Sequence, residues 1–221
     1  MSVRIVIQCA ATKHSGGYLR TPDGRPVKFV AHPESAPEAE STSFVLAHPD
    51  DPSGVGASTW REVAVQYNQQ SDNPLGLHLA HQLYAQPAYR DLVRRFGVAS
   101  VFILSAGWGL IPATFKIPNY DITFSPSADT FKRRLGKDVY RDVHGLSGGD
   151  EPIVFLGGKD YLKLFLELTA RISARRIVYF NSAHAPRLSG CELVRYQTTQ
   201  RTNWHYACAN DLVTGRLALP A

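Results

Sequence analysis

Short apolar runs alternate with longer amphipathic segments along most of the chain. Residues 3–7 and 101–104 are apolar runs whose composition suits strands buried on both faces. Residues 60–68 have helical spacing after a serine and a threonine that can cap a helix. A second helical pattern covers residues 77–96 and is interrupted at Pro87. The pattern therefore predicts a mixture of strands and helices in alternation.

The clearest motif follows a Ser-Gly-Gly linker. Residues 153–156 form an apolar run, residues 161–170 have amphipathic helical spacing, and residues 177–180 form another apolar run. Such a β-α-β unit has a parallel crossover, which places helices on both faces of a sheet. A final helix is predicted at residues 205–213. The predicted fold class is α/β, a three-layer α/β/α arrangement with a central, mostly parallel sheet.

Three other regions have weaker signals, within what we predict to be one domain over residues 1–221. A hairpin is predicted around Asp23-Gly24, and residues 32–58 form an irregular surface excursion rich in Pro, Ser, Gly and acidic residues. A helix from Ser127 or Asp129 to Leu135 would present a basic cluster. That face suits either a phosphate backbone or plain exposure to solvent.

Composition narrows the class of protein. The chain of 221 residues has 44% hydrophobic and 19% charged residues, which indicates an ordered globular protein. No apolar run approaches the roughly 18 residues that cross a membrane, and the chain starts directly with a strand, so a cytoplasmic location is expected. The three cysteines form no Cys-x-x-Cys pair, so neither a four-thiolate cluster nor a structural zinc site is predicted. No other metal or cofactor is expected. The net charge of +5 is compatible with DNA or with a small substrate.

The stretch at residues 101–124 carries the main candidate pocket. Gly107 and Gly109 flank Trp108 after the strand, so the backbone there can approach a ligand closely. The alternative is a tight turn whose Trp108 fills the core. An amide, a phenol and a carboxylate follow in succession at Asn119, Tyr120 and Asp121.

Lys13 follows the first strand in a small, polar segment, which is typical of a ligand loop at the carboxyl edge of an α/β sheet. Its ammonium group suits a phosphate, although the segment does not match the Gly-x-x-x-x-Gly-Lys phosphate loop. A solvated lysine in a connecting turn is the alternative.

Two sets of motifs resemble known families. The sequences at 153–161 (Ile-Val-Phe-Leu-Gly-Gly-Lys-Asp-Tyr) and 183–189 (Ala-His-Ala-Pro-Arg-Leu-Ser), with the closing segment 205–212, resemble the C-terminal half of the uracil-DNA glycosylase superfamily. The sequences at 9–13, 104–111 and 120–123 are similar to YaaA-like bacterial proteins, a peroxide-stress group associated with DNA binding. The first resemblance implies a uracil-DNA-glycosylase-like fold and activity on bases in DNA.

The resemblance has one clear departure. Gln8-Cys9-Ala10-Ala11 stands where the classical glycosylases carry Gly-Gln-Asp-Pro-Tyr, so their water-activating aspartate is missing at that position. We therefore expect a base other than uracil, and Asp121 becomes the candidate carboxylate that stabilises the cationic sugar and orients water. Asp121 as a turn-capping residue is the alternative.

The same resemblance implies roles for the segment after the last strand of the β-α-β unit. His184 would donate a hydrogen bond to the departing base, with a purely structural role as its alternative. Three neighbours would contact distorted DNA, namely Arg187, Leu188 as a wedge and Ser189 on a phosphate. Trp108 or Tyr120 would stack on an extruded base. Asn203 and His205 suit either structural or functional roles.

The predicted function is a monofunctional, metal-independent DNA glycosylase that flips and excises a modified base, in repair or in defence against foreign DNA. Its partner is DNA, with no membrane and no obligate protein partner indicated. Two alternatives stay open. One is a non-catalytic, YaaA-like DNA-binding stress protein, and the other is an N-glycosidase or deoxyribosyltransferase that acts on free nucleosides or nucleotides.

Overall fold

The computed structural model describes residues 2–219, within which seven strands form the central sheet. Their bounds in chain order are β1 Arg4–Gln8, β6 Val101–Ser105, β7 Gly109–Pro112, β9 Val143–His144, β10 Ile153–Leu156, β11 Arg176–Phe180 and β12 Glu192–Arg195. The order across the sheet is β12-β11-β10-β1-β6-β7-β9. The first five strands in that order are mutually parallel, whereas β7 is antiparallel to β6 and parallel to β9. The fold is therefore α/β with a mostly parallel sheet, as predicted.

Small sheets and helices complete the described chain. The remaining strands are β2 Leu19–Arg20, β3 Pro26–Phe29, β4 Val45–Ala47, β5 His78–Leu79 and β8 Lys116–Ile117. The α-helices are α1 Trp60–Tyr67, α2 Ala80–Leu83, α3 Ala88–Phe96, α4 Lys159–Thr169 and α5 Trp204–Val213. None of the helices within residues 2–219 is long and apolar enough to cross a lipid bilayer.

The inner strands of the sheet are covered on both faces. Consecutive residues Ile5, Val6 and Ile7 of β1 are fully buried, although alternate side chains of a strand point to opposite faces. The inner strands β6 and β10 are buried in the same way. Continuous apolar runs therefore mark these strands, because neither face meets water.

Most of the predicted elements are confirmed. Helix α1 starts at a capping box, in which the Thr59 side chain accepts from the Glu62 N–H and Glu62 accepts from the Thr59 N–H. Pro87 separates α2 from α3, and the β-α-β unit and the final helix lie where the sequence predicted them. The hairpin at Asp23-Gly24 joins the antiparallel strands β2 and β3.

The predicted helix at residues 127–135 is wrong. The segment contains one 3-10 turn, Thr130–Lys132, and then runs extended. Thr123 N donates to Lys132 O at 2.9 Å, and Arg134 N donates to Thr123 O at 2.9 Å. These long-range hydrogen bonds replace the helical ones. Arg134 is consequently buried in an ion pair with Asp142, so the segment has no continuous basic face.

Six strands were missed by the sequence prediction, namely β4, β5, β7, β8, β9 and β12. Strand β4 lies inside the otherwise irregular excursion at residues 32–58 and pairs in parallel with β3. Strand β12 is a half-buried edge strand parallel to β11.

Candidate functional site

A cavity of about 800 Å³ opens at the carboxyl ends of β1, β10 and β11. From β1 the chain continues to β6 on one side, and it later returns to β10 on the other side. This is the topological switch point, where open α/β sheets bind ligands. The wall is built from side chains within residues 8–13, 121–132, 157–162, 179–186 and 201–206. The volume is in the range of small-molecule sites.

The floor of the cavity joins the end of β1 to the start of α4. Gln8 Oε1 accepts a hydrogen bond from Gly158 N at 2.6 Å, where Gly158 caps α4. Cys9 Sγ lies 3.1 Å from the hydroxyl of Tyr161, which is also buried. These contacts fix the backbone around the switch point before any ligand binds.

A network of buried hydroxyl groups lies beneath this floor. The Tyr120 hydroxyl is 2.9 Å from the Tyr84 hydroxyl, and Ser105 Oγ donates to it at 2.9 Å. Burial raises the pKa of Tyr120 and Tyr84 well above the ordinary value, so both phenols stay protonated. Tyr120 is only 1% exposed, so its predicted role as a stacking platform for a base is wrong.

Asp121 places its carboxylate in the cavity wall. Its backbone N–H donates to Phe29 O at 2.7 Å, which fixes the residue beside β3. Asp121 Oδ2 lies 3.3 Å from Lys132 Nζ and 4.0 Å from Lys28 Nζ. Hydrogen bonding to Asp129 and then the charge of Asp121 raise the pKa of Lys132. Asp121 is therefore an accessible carboxylate held between two ammonium groups.

Lys13 shares the cavity with Asp121. Its Nζ lies 4.3 Å from the centre of the Tyr120 ring and donates to Ala11 O at 3.3 Å. The side chain is half-buried, and this burial lowers the pKa of Lys13, although the charges of Cys9 and Asp121 act in the opposite direction. Lys13 thus lies in the cavity wall, as expected for a ligand loop, and not in a solvated turn.

His205 is a functional candidate that the sequence left undecided. The side chain lines the cavity from the first turn of α5 and is 3% exposed. Burial lowers the pKa of His205 to about 4, so the imidazole is neutral at pH 7. Its Nε2 has no hydrogen-bond partner among residues 2–219. A buried polar atom without a partner is costly, so this nitrogen is a candidate for pairing with a water or with a ligand once the ring turns towards the cavity.

Trp108 does not line the cavity, so its predicted contact with a substrate is wrong. The indole is fully buried, and its ring centre lies 5.0 Å from the ring centre of Phe29. The central guanidinium carbon of Arg61 lies 5.5 Å from the indole centre. The Gly107 carbonyl accepts a hydrogen bond from Arg61 Nη2 at 3.0 Å, and a Cβ at Gly107 would lie 3.1 Å from Tyr120 and Ile122. The glycines therefore permit close packing within the core, and the alternative of a core tryptophan is the right one.

Asn119 also lies outside the cavity wall. Its Nδ2 donates to His14 O at 3.0 Å and to Gly16 O at 3.3 Å. The amide therefore holds the loop that follows Lys13, which is a structural contact rather than the predicted contact with substrate.

The loop after β11 lies at the rim. Ser182 and Pro186 contribute to the cavity wall, but His184 is exposed and does not. The structure thus does not bring His184 together with Asp121 in the wall. In the same loop Arg187 and Ser189 are exposed, whereas Leu188 is half-buried against the core and is not a free wedge.

The rim of the cavity carries charges of both signs. Lys132, Lys159 and Arg201 contribute positive groups, and Asp129 and Asp160 contribute carboxylates. Within the described part of the chain, no group of three or more His, Cys, Asp or Glu side chains is arranged to hold a metal ion. The side chains that line the cavity supply carboxylates, amines, a guanidinium group, hydroxyl groups and a neutral imidazole.

The chain matches no protein-family model, no curated protein and no solved structure.

Proposed function

We propose that the protein is a DNA glycosylase that flips a modified base into the cavity and hydrolyses its N-glycosidic bond. One observation supports this proposal most directly: Asp121 and His205 line the same cavity at the switch point of the sheet. In this proposal the sheet and its helices form the three-layer, uracil-DNA-glycosylase-like arrangement. Repair or defence against foreign DNA is the proposed setting, in a cytoplasm that keeps the three free cysteines reduced.

In this proposal the two side chains act at the two ends of the bond. As the bond breaks, the sugar gains positive charge and the base gains negative charge. The Asp121 carboxylate stabilises the sugar cation and orients the attacking water. In this proposal the neutral imidazole of His205 binds the edge of the base, after its ring turns to bring the buried, unpaired Nε2 to the cavity. His205 thus takes the role predicted for His184, which stays outside the cavity wall.

DNA reaches the site across the rim in this proposal. Arg187 and Ser189 are exposed on the loop that borders the cavity, while Arg201 and Lys159 line it, and all four suit contacts with phosphates. The base must leave the stack to reach Asp121, because the carboxylate lies inside the cavity.

A second candidate is an N-glycosidase that acts on free nucleosides or nucleotides. The observation that favours it, for uncharged nucleosides, is the pair of carboxylates at the rim, Asp129 and Asp160, which would repel a phosphate backbone. DNA affinity that falls steeply with added salt favours the glycosylase over this enzyme. The non-catalytic DNA-binding protein is equally consistent with a packed Trp108, and only an assay of excision separates it.

The test is excision from a panel of DNA duplexes that carry different modified bases, detected as alkali-labile abasic sites. We expect excision by the native protein and a loss on the order of 10²-fold or more in Asp121→Asn, since a positioned acid or base contributes about that much. Glu40→Gln is the matched control, because Glu40 also pairs with Lys28 but does not line the cavity. An unchanged rate in Asp121→Asn would remove the carboxylate from the mechanism.

A further inference from the structure

Lys13 differs from the other lysines near Asp121. Lys28 pairs with Glu40 at 3.1 Å, and Lys132 pairs with Asp129 at 2.9 Å. In contrast, Lys13 Nζ forms no ion pair within 4.0 Å among residues 2–219, and its hydrogen bond is to the Ala11 carbonyl. Its amine is therefore available to a ligand.

The backbone on either side of this amine is fixed. Lys13 forms an antiparallel bridge with Tyr84, and His14 N donates to Leu83 O at 2.8 Å. The Tyr120 ring lies beneath the ammonium group at 4.3 Å. The lysine is thus held at one place in the wall, as a nucleophile requires, rather than carried on a free surface loop.

Its surroundings also favour the reactive form of the amine. Attack on a carbonyl needs the neutral amine, and burial is the main way in which proteins supply it. Burial lowers the pKa of Lys13, and the charge of Lys28 adds to the effect, while Cys9 and Asp121 oppose it.

We propose that Lys13 is a Schiff-base nucleophile that captures the aldehyde form of 2-deoxyribose in the cavity. This inference rests on the proposed function, because excision of a base leaves such a sugar. It makes the protein a lyase on abasic sites as well as a glycosylase. The sequence analysis considered Lys13 only as a group that could bind a phosphate.

The proposed steps balance without an oxidant or reductant. The Lys13 amine adds to the C1′ aldehyde, and the resulting carbinolamine loses water to form an imine. The Asp121 carboxylate then takes a proton from C2′, a C2′=C3′ double bond forms, and the C3′–O bond breaks to release the 3′ phosphate. Water finally hydrolyses the imine and restores the amine.

The test is trapping of the imine by borohydride, which reduces it to a stable secondary amine. Two probes supply the aldehyde without any base excision: DNA with a preformed abasic site, and 2-deoxyribose 5-phosphate. We expect a covalent adduct that peptide mapping places on Lys13. The Lys13→Arg variant keeps the positive charge but forms no imine, so its trapping should fall at least tenfold. Lys163→Met is the control, because this exposed lysine on α4 does not line the cavity.

The outcomes separate this inference from the proposed function. No adduct on native protein, an adduct on another lysine, or undiminished trapping in Lys13→Arg would overturn the imine, whether or not bases are excised. If Lys13 forms an adduct with the sugar phosphate but not with abasic DNA, the result supports imine formation at Lys13 and counts against DNA as the substrate. Peptide mapping of the adduct on native protein shows whether Lys13 forms the imine, even if the variant folds poorly.

Discussion

Replacement of His205 by glutamine should remove the part of the acid-induced loss of folding stability that comes from protonation of His205. In the folded chain the pKa of His205 is about 4, against an ordinary value of 6.5. The unfolded chain therefore binds the proton first, and stability is lost as the pH falls from 6.5 towards 4. With about 1.36 kcal/mol for each unit of pKa, the loss is about 2 kcal/mol at pH 5 and about 3 kcal/mol at pH 4.

The assay is urea unfolding of native protein and His205→Gln at pH 7 and pH 5. Native protein should lose about 2 kcal/mol more than the variant between these values, because glutamine does not titrate. Other groups, such as the half-buried His48, whose pKa burial also lowers, contribute equally to both proteins and cancel. His184→Gln is the control and should behave like native protein, since its side chain is exposed. Equal losses in native protein and His205→Gln would show that His205 is not buried in its neutral form.

Two further predictions concern the packing behind the cavity, and unfolding in urea tests both. Trp108→Ala should cost about 3–5 kcal/mol, because the indole is fully buried, and a loss below 1 kcal/mol would mean that the ring is not in the core. Arg61→Ala should also cost about 3–5 kcal/mol, since it leaves Asp50, whose oxygens lie 2.5 and 3.2 Å from the guanidinium, without its buried partner. A neutral effect would contradict that ion pair.

Local sequence patterns were sufficient to predict the fold where elements that are adjacent in space are also consecutive in the chain. The unit from β10 through α4 to β11 was predicted because its apolar runs are continuous and its crossover is short. Strand β12 was missed because it is a half-buried edge strand, Glu-Leu-Val-Arg, without an apolar run. Residues 127–135 were misassigned because Phe131 and Leu135 match helical spacing, whereas distant pairing with Thr123 decides the backbone.

The same distinction explains which site residues were predicted. Lys13 and Asp121 stand in or beside segments that sequence already marks as strand ends or turns, so their place in the cavity could be anticipated. His205 could not be singled out, because its burial and its unpaired Nε2 arise from the packing of α5 against the sheet. Trp108 was misassigned because flanking glycines suggest an open loop, while Phe29 and Arg61 enclose the ring.

The most direct test of the account is a crystal structure with DNA that contains a hydrolysis-resistant 2′-fluoro nucleotide of the base excised most rapidly. The account predicts an extruded nucleotide in the cavity, with a water about 3–3.5 Å from C1′ on the side of Asp121. His205 Nε2 should lie within hydrogen-bonding distance of the base edge. A nucleotide bound elsewhere, or a base that contacts neither Asp121 nor His205, would contradict the assignment of this cavity as the site of base excision.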